Sequence, residues 1–183
     1  MKKLDLTNVQ EAKEGVTKHP AGPFSCKITA VEDFPEKEYL KITFDIAEGE
    51  FAGYYSKGRE DHPDWAWYGS YCKSYKPKAL PMFKRFCSAV SKSNKNYTFD
   101  GGAANADEKT LVGKKIGLTF QEEEYYGNDG ELKTKLNIYS EFPLDKIAEQ
   151  KVPKVKKLKE DTPKVVDDGF LNLPDSGDDI PFV

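Results

Sequence analysis

The chain is short of cysteine, of histidine and of long apolar runs, and each shortage excludes something. Its three cysteines, Cys26, Cys72 and Cys87, are odd in number and far apart. They predict free thiols in a reducing cytoplasm and not a disulfide framework. With only two histidines, no HxxxH or CxxC spacing exists. His62, Asp64, Cys72 and Cys87 are metal-ligand types without metal-ligand spacing. No apolar stretch approaches the roughly 20 residues that cross a bilayer. Met1-Lys2-Lys3-Leu4-Asp5 also lacks the apolar segment of a signal peptide, so no membrane contact is expected. A Walker loop, GxSxG and a Rossmann fingerprint are missing too. No cofactor and no catalysis are therefore expected. Glu122-Glu123-Glu124 is the one acidic run that a metal-dependent nuclease could use, but successive strand residues point to opposite faces.

What is present is charge, unevenly placed. The 183 residues suffice for one domain with a core plus a tail, and the net charge is −3. Residues 160–183 hold seven acids against Lys164 alone. Residues 54–97 hold nine cations against Glu60, Asp61 and Asp64. A basic body carrying an acidic tail suits a polyanion binder with an interaction segment.

Taken in order, residues 1–21 read as a lead-in segment, closed by Pro20-Ala21-Gly22-Pro23. Phe24, Cys26, Ile28 and Ala30 alternate with polar residues, which predicts a half-buried strand. Leu40, Ile42, Phe44 and Ile46 predict a second, and residues 51–56 a third, making a meander. Residues 57–78 show neither strand nor helix period and read as a long loop. Leu80, Phe83, Phe86, Cys87 and Val90 share one face of a helix. Ile116, Leu118 and Phe120 begin a fourth strand, Gly127-Asn128-Asp129-Gly130 turns it, and residues 132–139 return as a fifth. Residues 144–159 read as a Lys-rich linker and 160–183 as an acidic disordered tail.

Three strands, a helix and two strands is the order of an OB-fold, a mainly β, five-stranded antiparallel barrel with its helix between strands three and four. Residues 22–143 are the expected barrel, and a helix-packed open sheet is the alternative.

The aromatic-basic stretch carries the expected chemistry. Lys57, Arg59, Trp65, Trp67, Tyr68, Tyr71, Lys73, Tyr75, Lys76 and Lys78 supply flat faces for unstacked bases and cations for phosphates. Trp65 and Trp67 are either stacking platforms or barrel plugs, and the sequence leaves both open. Tyr39, Lys41, Lys115, Lys133, Lys135 and Tyr139, on polar strand faces, could extend a groove, with a solvated face the simpler account of each.

Two resemblances sharpen this reading. The tip Asp178-Asp179-Ile180-Pro181-Phe182 resembles the end of bacterial single-stranded-DNA-binding proteins, although Val183 follows where that family ends in Phe. Residues 20–55, especially Glu38-Tyr39-Leu40-Lys41-Ile42-Thr43-Phe44-Asp45-Ile46 and Gly49-Glu50-Phe51-Ala52-Gly53-Tyr54, look like a family of phage early-region proteins. Together they imply a single-stranded-DNA-binding protein of phage replication or recombination, whose tail recruits replication or recombination proteins. An adaptor whose body binds protein instead is the alternative. A homodimer is left open.

Overall fold

A computed structural model describes residues 18–65, 67–101 and 107–158. The tail positions Asp178, Asp179, Ile180, Pro181 and Phe182 lie outside the described residues. Five antiparallel strands run β1 (Gly22–Phe34), β2 (Tyr39–Ile46), β3 (Ser70–Ser74), β4 (Lys115–Tyr126) and β5 (Leu132–Phe142). A short helix α1 (Tyr54–Asp61) precedes β3, and α2 (Leu80–Ser93) lies between β3 and β4. The sheet order is β3-β2-β1-β4-β5, which curls into a nearly closed OB-like barrel. Among the described residues no helix is long and apolar enough to cross a membrane.

Alternation builds the interior. Cys26, Ile28, Ile42, Phe44, Ile116, Leu118 and Phe120 are buried from the inner faces of three strands, and Phe86 and Val90 of α2 close one end of the barrel. The edge strands β3 and β5 meet without a hydrogen-bonded ladder between them. Lys73 of β3 and Glu141 of β5 bridge the seam instead, Nζ to Oε2 at 2.5 Å, their side chains 11% and 4% exposed. Arg85 of α2 donates to the Glu141 carbonyl across the same junction.

Four expectations need correction. The third strand is not residues 51–56. Gly53 adopts φ 77°, a left-handed turn that costs glycine little, and starts α1. Buried Asp45 then accepts the amides of Tyr55 and Ser56, so the chain leaves β2 as a capped helix. β3 lies instead inside the stretch read as loop. Ala30 is not inward: a bulge between Ile28 and Ala30 reverses the parity of β1. Residues 144–158 are not a free linker. Lys156 forms a parallel bridge with Glu123, donating to Glu122 O and accepting from Glu124 N. This segment covers the β4 edge beyond Gly22, where β1 begins.

The lead-in segment also contributes to the core, because His19 is 2% exposed. Its Nδ1 lies 2.9 Å from the Pro20 carbonyl, which can only accept, so Nδ1 carries the proton. Nε2, 2.7 Å from the Tyr55 hydroxyl, then accepts from it. Burial pushes the His19 pKa below 6.5 despite the opposing carbonyl. A lowered folded value means the unfolded chain takes up the proton first. The stability contributed by neutral His19 is complete above about pH 6.5 and is lost as pH falls toward the folded value. The urea midpoint should therefore drop between pH 7.5 and 5.5, and H19Q should flatten that dependence. An equal slope in both proteins would place the pH response elsewhere.

Candidate nucleic-acid interface

Pairing register defines the outer face of β1, β2 and β3. Directly paired residues share a face, so three cross-strand rows stand outward: Phe34–Tyr39–Ser74, Glu32–Lys41–Cys72 and Ala30–Thr43–Ser70. The bulge in β1 makes this grid possible. Without it, Glu32 and Phe34 would follow Ile28 inward. At one end Phe34 and Tyr39 stack with centroids 4.9 Å apart and 22° between planes. At the other end Thr43 and Ser70 share a hydroxyl hydrogen bond at 2.9 Å. Alternate residues along β2 are about 7 Å apart, so aromatic and cationic groups follow one another at short intervals.

The loop before β3 adds two indoles. Trp67 is 51% exposed, and the Lys41 ammonium lies 4.7 Å from the centre of its ring. Trp65 is 44% exposed and stacks on His62 at 4.0 Å and 12°. Neither Trp plugs the barrel. Tyr68 anchors their loop: it packs against Tyr55 and Trp65 and fits over Gly58, where an added Cβ would meet its ring at 2.2 Å. Arg59 donates to the Tyr68 carbonyl and to Ser56 Oγ, which holds the loop to α1.

The ten residues of the aromatic-basic stretch thus separate. Trp65, Trp67, Lys57, Lys76 and Lys78 are exposed. Tyr68 and Arg59 are half-buried and hold the loop. Tyr75 sits against Phe83 and donates to Asp33 at 2.8 Å; burial, then the Asp33 carboxylate, push its pKa up to about 12. Tyr71 and Lys73 cannot serve as predicted. They pair with Ile42 and Leu40, which are interior, so the pleat turns both inward. The Tyr71 hydroxyl is held well above its ordinary pKa by burial first and then by the Glu141 carboxylate.

Tyr39 and Lys41 belong to the face although a solvated strand was the simpler reading of each. Phe34 and Glu32 were missed, because their outward direction depends on the bulge. Lys115, Lys133 and Lys135 lie off this grid: Lys115 pairs with Glu48, Lys133 with Asp129, and Lys135 lies 4.0 Å from Glu123. Glu123 also takes Lys156 at 2.9 Å, and Glu124 accepts the Leu158 amide, so this acidic run is engaged by its own chain.

A concavity lies at the Asp33 end of the barrel, between α2 and residues 98–101. It encloses about 780 Å³ and is lined by Leu40, Leu80, Phe83 and Phe99 among others. It is separate from the nine-residue face. No family model and no curated protein matches the chain.

Proposed function

We propose that the protein binds single-stranded DNA without sequence preference and serves phage replication or recombination, with its acidic tail recruiting partner proteins. One observation supports this most directly: the outer face of an OB-like barrel carries exposed Trp67 over Lys41, beside the Phe34–Tyr39 stack. Bases stack on such rings whatever their sequence, and the cations meet the phosphates. Exposed Lys57, Lys76 and Lys78 add to the charge. The resemblances to the phage early-region family and to the bacterial tail tip point the same way.

A titration of labelled oligo-dT and of a duplex of equal length tests the proposal. Single strands should bind more tightly, and log affinity should fall linearly with log salt at about −0.7 per neutralised phosphate. Three or more phosphate contacts give a slope beyond about −2. A flat salt response, or equal affinity for duplex, would count against it.

The 780 Å³ groove beside α2 favours a second reading, an adaptor whose body holds a protein through its apolar lining. An adaptor of that kind would ignore oligo-dT at every salt concentration.

A further inference from the structure

Lys41 is an unusual surface cation. Its side chain is only 14% exposed, because Trp67 covers it, and its carboxylate neighbour, Glu32, stands 3.7 Å away and 58% exposed. That distance makes an ion pair but exceeds hydrogen-bonding length. Lys41 shows no side-chain hydrogen bond among the described residues. An ammonium has three donors, and here its charge is balanced only loosely from one side. Register explains why the carboxylate is there: Glu32 and Lys41 are direct partners across β1 and β2, and the bulge at Ile28/Ala30 brings Glu32 outward.

We infer that Glu32 is a built-in competitor for phosphate at Lys41, and that a nucleic-acid phosphate displaces it when a base stacks on Trp67. The inference rests on the single-strand-binding reading and adds a residue that sets affinity at that face. The competition follows from charge and access. A mostly exposed carboxylate is easily displaced, whereas Lys41 is held under the indole. A phosphate oxygen at hydrogen-bonding distance fills the donors that Glu32 leaves open. Each binding event must first separate Glu32 from Lys41, so removing the carboxylate lowers the cost of binding. A purely structural role for the pair predicts the reverse, since loss of Glu32 would loosen Lys41 and Trp67.

Oligo-dT binding by the full chain at low salt, followed by Trp fluorescence, decides the matter. E32Q should tighten binding about two- to five-fold, the range of a partly exposed ion pair. E36Q, which removes an exposed acid from the neighbouring turn, controls for general charge and should give a smaller gain. In a K41Q background the gain from E32Q should vanish. The inference is overturned if E32Q binds no tighter than wild type, if E36Q gains as much, or if the gain survives without Lys41. If no protein in the series binds oligo-dT, the functional reading falls and the inference falls with it. Binding by wild type without a gain in E32Q removes the inference alone.

Discussion

Replacing Glu141 with leucine should cost about 3–5 kcal/mol of stability, the largest effect expected of any polar position in this barrel. The reason is the partner left behind. Lys73 is on the inward face of β3 with its side chain 11% exposed, and Glu141 is its ion-pair partner at 2.5 Å. A lone buried ammonium has lost its hydration and gained nothing in return. The Phe86 ring, 5.9 Å from Nζ, offers only a weak substitute. The seam suffers as well, because this pair stands where a strand ladder would be. Total stability of a domain is about 5–15 kcal/mol, so the single variant should show a much lower urea midpoint. The double variant K73M/E141L should recover most of the loss, since apolar residues of similar volume can replace a buried pair at little cost. A single-variant loss below about 1 kcal/mol, the value for a solvated pair, would mean that the seam is open to water.

The second large effect concerns binding. W67A should weaken oligo-dT binding by about 1–3 kcal/mol, the usual worth of one stacked base. The fold should hardly notice, because Trp67 is 51% exposed and substitutions of that kind usually stay within about 0.5 kcal/mol. Wild-type fluorescence should be quenched by oligo-dT, and W67A should lose most of the quench while the Trp65 signal persists. Equal affinity in W67A, or a thermal midpoint that collapses, would assign the indole to packing. The two indoles differ in their surroundings: Trp67 meets the Lys41 ammonium, whereas Trp65 is held between His62 and Tyr68.

How much of this was legible beforehand differs between elements, and the difference has a physical cause. β2, β4 and α2 were readable because each buries one regular face, Leu40-Ile42-Phe44-Ile46 being the plainest. β3 was not, since its inward residues are Tyr71 and Lys73. A lysine on the core side breaks the apolar alternation, and what makes it tolerable is a carboxylate 68 residues away. α1 depends likewise on the side chain of Asp45, ten residues before the first amide it caps in the helix. Residues 154–158 are held against β4 through their own main chain, Lys156 bonding the β4 backbone and Lys154 and Leu158 the Gln121 and Glu124 side chains, and backbone bonding of that kind leaves no mark in their side-chain pattern. At the site, the aromatic-basic composition announced a face but not its membership. Pleat parity sends Tyr71 and Lys73 inside, and the bulge in β1 brings Glu32 and Phe34 out. A one-residue irregularity of that sort has no signature in composition.

The parallel segment around Lys156 has a bearing on how the protein is made. It lies in the row that β1 leaves at Gly22, so one row of the sheet is assembled from two stretches far apart in the chain. Synthesis runs from the N-terminus, and β4 and β5 emerge before the residues that flank β4. Until residue 158 has left the ribosome, part of the β4 edge has open amides and carbonyls, the kind of template that recruits stray strands. The late-arriving stretch suits that vulnerability: Lys151, Lys154, Lys156 and Lys157 discourage further pairing once it has docked.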